Sequence, residues 1–90
     1  MRPALDGSWD VRRTGGFLPP MVGVHKQIRG NRGETKLGPL RFPFVVDGLT
    51  LRYTGLLHGL EDRLEPAGTG FLGRACLHGV EVGRFELLRA

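Results

Sequence analysis

The chain has 90 residues, room for one domain with a modest core. Its 40% hydrophobic content excludes a disordered chain, and its 15 glycines keep no three-residue period, which excludes collagen. The net charge of +4 is uneven, with eight Lys/Arg against three Asp/Glu in residues 1–45 and five against six in residues 46–90. Such a bias serves either an anionic partner or simple solubility. No apolar run approaches the ~20 residues of a membrane-spanning helix. The opening MRPALDGSW carries no apolar run behind its basic residue, so no secretory signal is expected. A single cysteine, Cys76, cannot form a disulfide within the chain, and a cytoplasmic setting is expected.

No stretch holds a 3.6-residue apolar period, whereas period-two alternation is frequent. The first strand is read over residues 7–14, beginning at Gly7-Ser8-Trp9. GGFLPPM (residues 15–21) interrupts the pattern, because Pro19 and Pro20 cannot donate to a ladder. Phe17 and Met21 are expected to fold over one end of the sheet. Strands over 22–29 and 33–38 follow, joined by an Asn31-Arg32 turn that would pair Ile28 with Thr35. Strands over 42–47 and 49–54 meet at Asp47-Gly48, read as a type I′ turn. That turn pairs Val46 with Leu49, Phe44 with Leu51 and Phe42 with Tyr53, all on one apolar face. A strand over 60–65 leads to a last hairpin, 70–77 and 80–89, about His78-Gly79. There Leu77 faces Val80 and Ala75 faces Val82, after which the alternation slips by one at Gly83, the mark of a β-bulge. Consecutive hairpins with one apolar face make an up-and-down antiparallel sheet, and closure removes its exposed edges. The expected fold is a single all-β domain over 1–90, a small barrel of about eight short strands. A two-sheet sandwich is the alternative.

Gly7-x-Trp9 on the first strand, the run of hairpins and an arginine on the last strand resemble the calycins, the lipocalins and fatty-acid-binding proteins. The resemblance implies that Trp9 closes one barrel end with an arginine packed over its indole. Arg89 is the first candidate for that arginine and Arg84 the second. Attraction between a guanidinium and an indole face suits such a pairing. An eight-strand interior is either filled by side chains or holds one small ligand.

Two charged residues fall on apolar faces. Lys26 shares the face of Val22, Val24 and Ile28, and Asp62 that of Leu60 and Leu64. A buried lone charge costs several kcal/mol, so each needs a partner or water. They reach solvent at an open end, pair with each other, or anchor the polar head of a ligand, with Lys26 matching a carboxylate. His25, His58 and His78 do not converge as a zinc site requires, so no metal is expected. Cys76, read on the outer face with Arg74, has His78 two residues on but no third group to orient it. No catalytic residue and no cofactor are expected. The leading function is a non-catalytic barrel binding a small apolar or amphipathic molecule. Its wall residues would be Val24, Lys26, Phe42, Phe44, Leu51, Tyr53, Asp62 and Phe71, with Phe17 and Met21 over the mouth. The competing readings are a structural or protein-interaction domain with a filled core, and a basic nucleic-acid-binding barrel, for which no aromatic stacking motif speaks. Monomer and homodimer both remain open.

Overall fold

A computed structural model describes residues 5–16 and 22–90. The strands are β1 (Gly7–Gly16), β2 (Val24–Arg29), β3 (Arg32–Leu37), β4 (Leu40–Asp47), β5 (Thr50–Tyr53), β6 (Leu60–Ala67), β7 (Gly70–Leu77) and β8 (Val80–Arg89). Each pairs antiparallel with the next, and β1 pairs with β8, so the sheet is a closed up-and-down barrel. One 3-10 turn, Gly55–Leu57, joins β5 to β6. Among the described residues no helix is long and apolar enough to cross a membrane. Phe17 and Met21 lie outside the described residues.

Two hairpin registers differ from the sequence reading. The β4–β5 loop is Gly48-Leu49, so Asp47 pairs with Thr50, Val46 with Leu51 and Phe44 with Tyr53. The β2–β3 loop is Gly30-Asn31, so Arg29 pairs with Arg32, Ile28 with Gly33 and Lys26 with Thr35. The reason is backbone cost. A type I′ turn needs positive φ at both central residues, whereas a type II′ turn needs it only at the first, where glycine belongs. Gly30 and Gly48 take φ of +61° and +63°, and Asp47 and Asn31 are spared the left-handed region. Among the described residues, only the His78-Gly79 loop has positive φ at both positions, and it joins Leu77 to Val80 as expected. In both corrected hairpins the partner moves by two residues, and the side-chain period is two, so every side chain keeps its face. Leu49 moves into the exposed loop, where its carbonyl still accepts from Leu64 N at 2.8 Å.

Near the start of β8, Ala75 pairs with Gly83 and Cys76 with Glu81, leaving Val82 as the extra residue of a bulge. Ala75 therefore does not face Val82. A Cβ on Gly16 would lie 2.5 Å from Gly83 Cα, so β1 and β8 meet there through two glycines. Val22, expected on the inner face, lies in a turn before β2 and is exposed.

The interior core runs from Leu5, Trp9, Val11, Val24 and Ile28 through Phe44, Leu51, Tyr53 and Leu64 to Phe71, Ala75, Phe85 and Leu87. Two large rings fit because glycine stands across the ladder from each. Gly33 pairs with Phe44, and Gly73 pairs with Phe85. A Cβ on Gly33 would meet the Phe44 ring at 2.6 Å, and one on Gly73 would meet the Phe85 ring as well. We expect Gly73→Ala to destabilise the domain by about 1–3 kcal/mol through overpacking. A lowered urea midpoint with an unchanged slope would register it.

Candidate functional site

The barrel has two unlike ends and a polar centre. The first end gathers the start of β1 and the ends of β2, β4, β6 and β8. Here Trp9 is fully buried, and its Nε1 donates to Leu5 O at 2.8 Å. Trp9 and Arg89 are register partners across β1 and β8. The guanidinium carbon of Arg89 lies 4.1 Å from the indole centroid, and Nη1 donates to Asp6 O at 2.7 Å. Gly7, at φ +127°, explains the glycine two residues before the tryptophan. A Cβ there would stand 2.5 Å from Arg89 Nη1. The Phe71 ring meets the indole edge-on at 5.4 Å. Arg84 is not at the indole. Its Nε donates to Glu81 at 3.0 Å, on the outside of the barrel.

At the centre, Lys26 and Asp62 both face inward, and each is 3% exposed. Their reach for solvent at an open end is thereby replaced by pairing, with Nζ 3.0 Å from Asp62 Oδ2. Lys26 Nζ also donates to Thr35 Oγ1 at 2.7 Å and to Tyr53 OH at 2.6 Å. Tyr53 OH donates to Asp62 Oδ2 at 2.9 Å, which makes Thr35 the donor in its 2.6 Å contact with Tyr53. The three ammonium protons are all used, and both hydroxyls have donor and acceptor roles filled. The rings of Phe44, Tyr53 and Phe85 stand 5.5, 5.3 and 5.5 Å from Nζ. These are the rings that the glycines Gly33 and Gly73 admit, and they add cation–π attraction.

Burial alone would pull the Lys26 ammonium down. The Asp62 carboxylate, helped by Tyr53, outweighs it and holds the pKa above the ordinary lysine value. Burial pushes the Tyr53 phenol up to about 12, against the pull of Lys26. The cluster is thus a closed circuit of one ammonium, one carboxylate and two hydroxyls.

The second end, the mouth, gathers the starts of β2, β4, β6 and β8. Its inner rim is apolar. Leu37 pairs with Val24 and with Leu40, while Leu77 pairs with Leu60 and with Val80. These residues continue the lumen-facing rows past the core, and there they meet water. Leu40 is 53% exposed and Val80 65%. Phe42, Leu57, Leu60 and Val82 lie half-buried against the core below them. Leu56 and Val22, at 95% and 87% exposure, stand on the two longer connections at this end.

Of the expected wall residues, Val24, Lys26, Phe44, Leu51, Tyr53, Asp62 and Phe71 are buried against one another, and Phe42 alone reaches the mouth. Thr35 and Phe85 belong to the Lys26 cluster, and the rim residues Leu37, Leu40, Leu77 and Val80 to the mouth. A turn placed at Gly30-Asn31 is the sequence signal that finds Thr35, since it sets Thr35 opposite Lys26. Cys76 is buried beside Arg74 O, although its register partners Glu61 and Glu81 mark the outer face. Among the described residues no group of three His, Cys, Asp or Glu converges as a metal site would.

No family model matches the chain, and comparison with curated proteins and with solved structures finds no similar one. What is shown is a closed eight-strand antiparallel barrel, and membership of the calycins is not.

The central cluster can be probed by mutation and by alkali. Asp62→Ala leaves a buried ammonium unanswered and should cost about 3–5 kcal/mol, whereas Lys26→Met with Asp62→Leu should recover most of that loss. Urea denaturation of the three chains compares them. Alkali is the second probe. A raised folded pKa means that the folded chain keeps a proton the unfolded chain releases, so stability falls as pH rises. The Tyr53 contribution is complete below pH 10.0 and is lost as pH approaches about 12, and Lys26 acts in the same sense above 10.5. Tyr53 is the only tyrosine, so phenolate absorbance reads its titration directly. The expected midpoint lies above 10.0 and no higher than about 12, the folded-chain limit, with unfolding setting it where it comes first.

Proposed function

We propose that this chain is a non-catalytic, calycin-like barrel that binds a small apolar or amphipathic molecule at the mouth opposite Trp9. The observation that carries the reading is the lumen-phase rim of Leu37, Leu40, Leu77 and Val80, left to water above a buried core. An exposed apolar patch of this kind marks a binding surface more often than a scattered leucine does. The ligand sits shallowly. Lys26 already holds a carboxylate from within the chain, so it does not receive an acidic head group. The apolar part enters between the rim residues, and the polar part stays in water near Lys36 and Arg41 on the outer face. Free, buried Cys76 supports a reducing, cytoplasmic setting.

A protein-interaction domain with a filled core is the second reading. It is favoured by Leu56 and Val22, which protrude beside the mouth and do not line it.

A naphthalene-sulfonate fluorophore titrated into the purified protein should bind saturably at one site and be displaced by dodecanol. Leu40→Lys and Leu77→Lys should each weaken it by about tenfold, since each puts a charge into the apolar rim. Leu49→Lys, at an exposed leucine of the opposite end, should leave it unchanged. Equal loss in all three variants, or no saturation, would remove the mouth as the site. Self-association abolished by the rim variants, without fluorophore binding, would select the interaction domain.

A further inference from the structure

The outer face of β2 and β3 carries a feature that the mouth does not use. Arg29 and Arg32 are direct cross-strand partners on either side of the Gly30-Asn31 loop. Residues directly opposite in a ladder have Cβ atoms about 5 Å apart, and like charges there repel. Among the described residues, every other lysine and arginine but Arg74 has an acidic, backbone or aromatic partner, and these two have none. Both border a concavity of about 540 Å³ on the outside of the barrel, shared with Asp6, Ser8, Gln27 and Glu34. The two carboxylates there have partners of their own, cationic ones for Glu34 and a backbone N–H for Asp6. Asp6 Oδ1 accepts from Gly30 N at 2.8 Å, and Glu34 Oε1 stands 3.4 Å from Lys36 Nζ and 3.9 Å from Arg41 Nη1. The remaining polar groups, two guanidinia, the Ser8 hydroxyl and the Gln27 amide, are all able to donate.

We infer that this concavity binds a small phosphate-bearing molecule, its phosphate bridged by Arg29 and Arg32. Guanidinium forks match phosphate oxygens bidentately, and one dianion relieves the repulsion of the pair. The volume falls in the range of small-molecule sites, so an organic group attached to the phosphate has room. The site is independent of the mouth and of any ligand there.

Inorganic phosphate and phenyl phosphate are titrated into the protein at constant ionic strength, and backbone amide shifts are followed by NMR. We expect saturable shifts confined to Ser8, Gln27 and residues 29–34, with phenyl phosphate the tighter ligand. Arg29→Gln and Arg32→Gln should each weaken binding by about tenfold, the worth of one charge-assisted bond, and Arg74→Gln should not. Both test variants are at exposed positions, and unchanged thermal melting confirms that they fold. Unsaturable shifts would overturn the proposal. So would equal losses in the Arg74 variant, or binding seen only with an oligonucleotide and spread over the basic residues of β1 to β5.

Discussion

An ammonium held at the centre of a lumen only eight strands around has to be answered from within the chain. Lys26 stands on β2, Thr35 on β3, Tyr53 on β5 and Asp62 on β6. The four meet only when the sheet is curved into a barrel, because in a flat sheet β2 and β6 are separated by three strands. The pair adds little net stability, since desolvating both charges offsets their attraction. Its effect is selective. A barrel that slips by one residue at β2 or β6 turns one charge out and leaves the other buried alone, which is a costly state. The register around half the barrel is therefore tied to one contact of 3.0 Å.

The apolar core is organised around the same contact. Glycines at 33 and 73 leave space that the Phe44 and Phe85 rings occupy, and those rings then stand 5.5 Å from the ammonium. A small barrel is filled by alternating large and small residues, and here the alternation also sets aromatic faces around a charge. Away from this centre the two ends diverge. At the first, the indole of Trp9 and the guanidinium of Arg89 fill the opening, and Gly7 leaves space for the arginine. At the second, the same lumen-facing rows end in Leu37, Leu40, Leu77 and Val80, each at least 43% exposed. Filling one end and leaving the other apolar gives the molecule a direction, which is what the proposed binding mode uses.

The strands, the faces and the motif at the start of β1 were legible in the chain. Alternation located all eight strands to within a few residues. Gly7, Trp9 and Arg89 were identified as one unit through their resemblance to calycins, and the structure brings them together. The inward phase of Lys26 and Asp62 was also readable. Three things were not. Which of two loop positions a glycine takes depends on φ costs that differ little between neighbouring residues, so alternation alone does not place the Gly30 and Gly48 loops. Whether inward polar residues reach water, each other or a ligand depends on lumen width. The exposure of Leu37, Leu40, Leu77 and Val80 depends on how far each strand extends beyond the core.

By itself, then, the sequence determined the strand pattern and the inner and outer face of each strand. Those are local properties, carried by a period of two that survives a two-residue error in register. Only the tertiary structure decided that Lys26 meets Asp62, that Thr35 and Tyr53 complete the circuit, and that Arg89 and not Arg84 covers Trp9. Those contacts join residues far apart in the chain. Their distances are set by closure of the barrel as a whole, a constraint that no short stretch of sequence contains.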